Sequence, residues 1–373
     1  MKLIKCGINE FASKTLNNGF YLFGASQNIR ALLDYYPEYK FASRIVSIID
    51  NDVDKHGELF STMYGDFLIE SFDELVCAAR KNTVINVLIM VDDAIDILEQ
   101  IEENTELPNI NCYIFNLFAF LDHFNNTPDE ITALRSTPPQ IPKIIHYMWL
   151  GGNPLPERDM KMIETWREFC PDYEIKLWNE DNYDVYKHPF MKQAYKNKAF
   201  GFVPDYARLD VVWSHGGIYF DTDVEVIRNL DSLLHNPAFI GLTTMYGVNA
   251  GGGFGAAPKN PFVKDMRDIY DGVIFANNTT RSSYSSPLET RAIKKRGYLG
   301  GNKFFFTRDV TLYPVEFFAP KSSVYGIPMI SSNCYSIHHF NYSWASETLR
   351  NERIQSREYY SRHFRNGRED YDF

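Results

Sequence analysis

A strand–helix alternation limits this chain more than any other feature: it runs through the first ~120 residues and starts afresh after residue 140. Gly19–Ala25, Arg44–Asn51, Val84–Val91 and Asn111–Phe115 are apolar runs of strand length. Gln27–Tyr36, the stretch from Ser71 to Lys81 and Ala94–Glu103 read as the helices between them, with Ser71 and Glu74 spaced as a capping box. This order predicts a parallel sheet with helices on its faces. Residues 122–140 hold Asn125, Asn126, Pro128, Pro138 and Pro139 and read as a linker, interrupted by a short helix over Asp129–Arg135. A second α/β pattern follows: a strand at Ile144–Leu150, a helix over Arg158–Cys170 stopped by Pro171, and a strand at Glu174–Asn179. The expected division is 1–121, a linker over 122–140, a second domain over 141–348, and a charged C-terminal helix or tail over 349–373.

Composition narrows the function classes. With 45% hydrophobic and 23% charged residues the chain can bury a core. Its net charge of -10 argues against nucleic acid as a partner, which needs a basic face. The five cysteines form no CxxC pair, so a zinc knuckle or redox motif is not expected and a reduced, cytoplasmic setting fits. No secretory leader and no run near the ~18 apolar residues of a membrane span stands in the sequence. In the last segment Arg350, Arg353, Arg357, Arg362, Arg365 and Arg368 alternate with acids and with Tyr359, Tyr360 and Phe364. That run reads as a solvated helix face, with peripheral contact to an anionic membrane as the sharper reading.

The chemistry concentrates in Val203–Ile227, VPDYARLDVVWSHGGIYFDTDVEVI. Pro204 suits a first helical turn, and Gly216-Gly217 would end the helix near His215. Asp205 and Arg208, three apart, share a helix face. A short strand, Ile218–Phe220, then delivers Asp221-Thr222-Asp223. In extended backbone residues two apart point the same way, so both carboxylates converge. They repel unless a positive charge sits between them, and a hard divalent cation shared with substrate phosphates meets that need.

Taken with its surroundings, this segment resembles glycosyltransferase family 32, and is similar to the catalytic domains of large clostridial glucosylating toxins. The resemblance begins at Ile141-Pro142-Lys143-Ile144-Ile145-His146-Tyr147-Met148-Trp149. It continues through Gly151-Gly152, Trp166, Pro171, Tyr173 and Trp178, and ends at His338-His339-Phe340-Asn341-Tyr342-Ser343-Trp344. It implies a nucleotide-diphospho-sugar transferase domain of the GT-A type, α/β throughout, behind a small Rossmann-like parallel-sheet domain. It further implies that Trp149 stacks near the nucleobase and that Asp205 and Arg208 grip the donor sugar. Tyr219 would contact the donor, Asp221 the ribose and the metal, and Asp223 the metal directly. Ser343 and Trp344 would touch the metal and the leaving phosphate. One histidine is expected to complete the metal shell, because strand neighbours face opposite sides. His339 is the choice, with His338 close behind. Imidazole favours Mn²⁺ over Mg²⁺.

The expected function is a retaining, metal-dependent transfer of a hexose-type sugar from a UDP- or GDP-sugar to a glycan or lipid-linked glycan, in bacterial capsule or surface polysaccharide synthesis. A toxin-like transferase acting on a protein and a non-catalytic nucleotide-sugar sensor are the alternatives. Two segments depart from the family pattern: the glycine-rich Asn249–Gly255, and Ser286-Pro287-Leu288-Glu289-Thr290 where relatives often carry a Gly-Pro step. In the first domain, Gly24 after a strand and Asp50 at the next strand end are placed like a dinucleotide-binding turn and its ribose acid. Only one fingerprint glycine is present, so a scaffold or interaction domain is the favoured reading.

Overall fold

The computed structural model describes residues 1–81, 84–107, 109–243, 247–276, 284–322, 324–326, 328–341 and 347–364. The chain divides into two compact units: Met1–Asp122 with Val324–Ile327 and Glu352–Phe373, and His123–Ser323 with Pro328–Asn351.

In the first unit the strands are β1 (Lys2–Leu3), β2 (Phe20–Phe23), β3 (Ile45–Ile49), β4 (Leu59–Thr62), β5 (Gly65–Glu70), β6 (Ile85–Ile89) and β7 (Ile110–Ile114). They line up in the order β1-β7-β6-β2-β3-β5-β4, parallel except for the β4–β5 hairpin. The hairpin went unseen in the sequence because its residues lie half-exposed at a sheet edge, with Leu59 and Leu68 turned to solvent. One end of the core is aromatic: Phe11 packs against Phe20, Phe41, Tyr113 and Phe118.

Asp50 does not offer its carboxylate outward as a ribose acid would. It accepts the amides of Ala25 at 2.7 Å and Asp52 at 2.9 Å, and pairs with Lys55 at 3.3 Å. Burial pushes its pKa up, but these partners outweigh burial and hold it below the usual carboxylate value. The turn above β2 is closed by its own packing, since a Cβ on Gly24 would meet Val91 Cγ1 at 2.5 Å.

The C-terminal segment, expected as a charged helix or tail with a solvated face, is a helix, Glu347–Phe364, which from Glu352 onward belongs to the first unit. Tyr360 is fully buried and meets Tyr325 edge-on at 4.6 Å. Arg350 and Arg362 are exposed and Arg353 and Arg357 half-buried, while Tyr359 and Tyr360 enter the core, a pattern the charge run conceals. The expected linker also differs, for its helix Asp129–Arg135 buries Ile131 in the core of the second unit.

In the second unit the strands are β8 (Ile144–Met148), β9 (Glu174–Trp178), β10 (Gly217–Tyr219), β11 (Val224–Val226), β12 (Ala238–Gly241), β13 (Phe254–Ala256), β14 (Phe305–Phe306), β15 (Thr311–Tyr313) and β16 (Ser336–His338). A mixed sheet runs β14-β15-β12-β13-β10-β8-β9, and β11 and β16 form a separate antiparallel ribbon. His146 on β8 accepts from Trp178 Nε1 at 3.1 Å, and its Nε2–H faces the Gly216 carbonyl at 2.8 Å. Burial lowers its pKa to about 4, so the ring is a neutral strut between strands and the end of the helix Val203–His215. Gly216, at φ 71° and ψ -169°, takes a positive-φ extended conformation open to glycine, which ends this helix and leads into β10.

If the C-terminal helix completes the first unit, Tyr360→Ala opens a large cavity and lowers stability by about 3–5 kcal/mol. Chemical denaturation of the full chain reads this directly; a change below about 1 kcal/mol would return the helix to a solvated tail.

Candidate functional site

The helix Val203–His215 ends beside β10, and Asp221 follows two residues after β10, so these two elements fix one wall of a cleft of about 530 Å³ in the second unit. Trp149, Tyr219, Asp221, Asp223 and His338 line it.

Arg208 is buried to 1% exposure and Asp205 to 0%, with Nη2 to Oδ1 at 2.7 Å. The same guanidinium reaches Asp221 Oδ2 at 3.5 Å and lies 5.3 Å over the Tyr219 ring. Its Nε donates to the Pro204 carbonyl at 2.9 Å. Burial works against the charge, but Asp221 and Asp205 outweigh it, and the pKa of Arg208 is raised. The pair predicted from helix spacing is therefore a buried anchor for the first acid of Asp-Thr-Asp.

The turn that follows is held by the helix Glu157–Phe169 at three points. Thr222 Oγ1 donates to the buried Asp159 carboxylate at 2.8 Å. Trp166 Nε1 donates to the Val224 carbonyl at 2.7 Å, and Thr165 Oγ1 accepts the Val226 amide at 3.0 Å. With its middle residue tied down, the turn presents Asp221 and Asp223 to the cleft.

His338 arrives through ribbon pairing, for β16 runs antiparallel to β11 with His338 opposite Val224. Its Nε2 lies 3.2 Å from Asp223 Oδ1. Asp221, Asp223 and His338 bring one atom each within 4.8 Å of one another, a spacing and donor set that suit a divalent cation. The expectation for His339 is corrected here. Its ring lies on the opposite face of the strand, with Nε2 2.8 Å from Glu225 and Nδ1 3.4 Å from Lys321. Its backbone serves the site instead: the His339 amide donates to the Asp223 carbonyl at 3.0 Å, and the Asn341 amide to Asp223 Oδ2 at 2.8 Å. Phe340 makes the turn between them at φ 52°.

Trp149 is half-buried at the cleft, its indole N–H donating to the Asn153 carbonyl at 2.6 Å. Tyr219 is buried beneath Arg208. Ser343 and Trp344 lie outside the described residues.

The two segments that depart from the family pattern support one another. The helix Ser286–Lys294 grips the glycine loop: Thr290 Oγ1 accepts the Val248 amide at 3.0 Å, and Glu289 accepts the Ala250 amide at 3.1 Å. The loop in turn holds Asp221, whose amide donates to the Gly251 carbonyl at 2.9 Å. A Cβ on Gly251 would collide with the Asp221 carboxylate and sit 2.6 Å from Arg208 Nη1, which is why glycine stands there. Asp159, Asn249 and Glu289 were missed as supporting residues, and no local signal marks them, since each acts on a partner far along the chain.

Residues 156–240 match the family model described as "Glycosyltransferase sugar-binding region containing DXD motif". The chain is 32% identical over 127 residues to inositol phosphoceramide mannosyltransferase 3 of Schizosaccharomyces pombe, covering 33% of this chain and 35% of that protein. It is 31% identical over 150 residues to mannosyl phosphorylinositol ceramide synthase CSH1 of Saccharomyces cerevisiae, covering 39% of each. An uncharacterized glycosyltransferase, L373, of Acanthamoeba polyphaga mimivirus is 26% identical over 219 residues, 55% of this chain and 84% of that one. The chain thus spans little more than a third of the length of the two fungal relatives.

Glu289 generates a pH prediction. Burial raises its pKa from 4.5 to about 7, against the pull of Arg208 and the Ala250 amide. The folded state then holds a proton that the unfolded state has released, so stability falls as pH rises from about 4.5 to about 7, by roughly 3 kcal/mol in all. Glu289→Gln should flatten this slope in denaturation series between about pH 5 and pH 8; parallel slopes for both proteins would refute the assignment.

Proposed function

We propose that this chain is a metal-dependent glycosyltransferase of the GT-A type that takes a hexose from a nucleotide-diphosphate sugar. The observation that carries the reading is the convergence of the Asp221 and Asp223 carboxylates and His338 on one cleft, with the buried Asp205–Arg208 pair anchoring Asp221 from behind. The match of residues 156–240 to a sugar-binding region supports it.

Asp221 and Asp223 would hold Mn²⁺ or Mg²⁺. Such a cation, when bound, stabilises negative charge on a departing diphosphate as a Lewis acid. The chain's own groups bind and orient. Arg208, fixed beside Asp205 behind the cleft wall, anchors Asp221, so that this acid meets the donor without reorganising. Trp149 offers an aromatic face at the cleft for the nucleobase. Retention of configuration at the sugar is the stereochemical reading that goes with this family resemblance.

The fungal relatives are named for mannosyl transfer to inositol phosphoceramide, which favours a mannose-type donor and a glycolipid acceptor over a capsular polysaccharide. Among the described residues no helix is long and apolar enough to cross a membrane. A lipid-linked acceptor would then be met at the membrane surface.

Incubation with a panel of UDP- and GDP-sugars plus Mn²⁺, with free nucleotide as the readout, tests the reading. The wild-type chain should turn over at least one donor, and Asp223→Ala should lose more than about 100-fold, the scale of removing a charge-stabilising group. No turnover with any donor, or equal turnover by the variant, would refute catalysis and favour a nucleotide-sugar sensor.

A further inference from the structure

The residues just past β16 reach the cleft by a strained route. Along a strand successive side chains alternate faces, so a strand continued through Asn341 would turn that residue away from the acids with His339. The strand does not continue. Phe340 takes a left-handed backbone at φ 52°, a conformation rare for bulky residues. The turn brings the Asn341 backbone amide to Asp223 Oδ2 at 2.8 Å and sets the Asn341 side chain in the cleft wall. The Phe340 ring steadies it by stacking on His338, with centroids 4.1 Å apart and planes 20° from parallel. The Asn341 side chain is half-buried, and its amide makes no hydrogen bond among the described residues. Its Nδ2 is shut off from water and has no acceptor. A buried donor left unbonded destabilises a fold, and native structures hold few of them. Asn249 in the same cleft shows the usual case: Oδ1 accepts the Gly251 amide at 3.0 Å, and Nδ2 lies 3.2 Å from His338 Nδ1. A strained turn that delivers an unbonded amide to a cleft serves binding more than folding.

We propose that the side-chain amide of Asn341 binds a hydroxyl of the transferred sugar, an assignment that rests on the donor-site reading above. The two edges of an amide call for different partners, an acceptor at Nδ2 and a donor at Oδ1. A sugar hydroxyl is both, so one hydroxyl, or two neighbouring ones, satisfies the whole group. A diphosphate oxygen only accepts and would leave Oδ1 unpaired. The Asn341 backbone amide already sits on Asp223, so its side chain stands where a cation-held diphosphate would join its sugar. The last torsion of an asparagine is soft, so the amide can turn to a ligand while the backbone contact to Asp223 stays in place.

Titration calorimetry of the full chain with Mn²⁺ saturating tests this with paired probes, GDP-mannose against GDP and UDP-glucose against UDP. Asn341→Leu keeps the backbone amide and the bulk of the side chain but removes both polar edges. The variant should bind the nucleotide-sugar that the wild type prefers about tenfold less tightly, and the matching nucleoside diphosphate within about twofold of wild type. Asn341→Ala, which removes the same edges without apolar bulk, should repeat that split. The denaturation midpoint of Asn341→Leu should hold or rise, because an unbonded buried donor has gone. Equal losses for sugar and nucleotide would put the amide on the diphosphate, and no loss on either would leave it without a ligand; each overturns the proposal. A fall in the midpoint would mark a structural amide and overturn it too. Mn²⁺ affinity should stay within about threefold, whereas disturbing a ligand costs about 10- to 100-fold and would trace the effect to Asp223 instead. A wild-type chain that binds none of the probes refutes the donor-site reading and this contact with it. A wild type that binds them and variants that match it refute the contact alone.

Discussion

A single buried guanidinium organises the cleft. Arg208 sits at 1% exposure with Asp205 on its own helix and Asp221 just past β10, and Glu289 is buried in the same field. A charge so far from water is tolerated only with partners of opposite sign and good geometry. Here those partners come from distant segments, so balancing the charge also joins the segments. Asp221 is drawn inward by Arg208. Asp223, one residue beyond the tied-down Thr222, is turned toward His338 and held by the amides that follow it. The two acids of one motif thus sit in different settings, one beside the Arg208 guanidinium and one beside the His338 ring.

Rigidity around them comes from hydrogen bonds that no local pattern announces. The helix Glu157–Phe169 grips the turn and the strand after it through Asp159, Thr165 and Trp166. On the other side the glycine loop hands Asp221 a carbonyl and His338 an amide, and is itself anchored by Thr290 and Glu289. A nucleotide-diphosphate ligand of the kind proposed would gain from this, because oriented dipoles need not rearrange when it arrives. Raising the pKa of Glu289 to about 7 is the cost of placing a fourth ionisable group behind the wall.

The first unit shows the same logic turned to a structural end. Its parallel order and the acid after β3 follow the outline of a nucleotide-binding sheet, but Asp50 spends its oxygens on Ala25, Asp52 and Lys55, and Gly24 packs against Val91. Those contacts stiffen the turn above β2 from within. The C-terminal helix packs into this unit through Tyr359 and Tyr360, the latter edge-on against Tyr325.

Periodicity made the parallel strands of the first unit, the helix Val203–His215 and its glycine stop legible in the sequence, because each is dictated by side chains within a few residues. The convergence of Asp221 and Asp223 was legible for the same reason. Which histidine joins them was not: His338 and His339 are adjacent, and only the register of β16 on β11 decides which faces the acids. The edge hairpin, the burial of Tyr360 and the supports at Asp159, Asn249 and Glu289 were hidden alike, since each depends on a partner distant in the chain. The sequence by itself determined that two acids would meet at a strand end behind an acid–base pair on a helix. The tertiary structure alone decided what balances and aims them, because burial and strand register are properties of the packed chain and not of any segment within it.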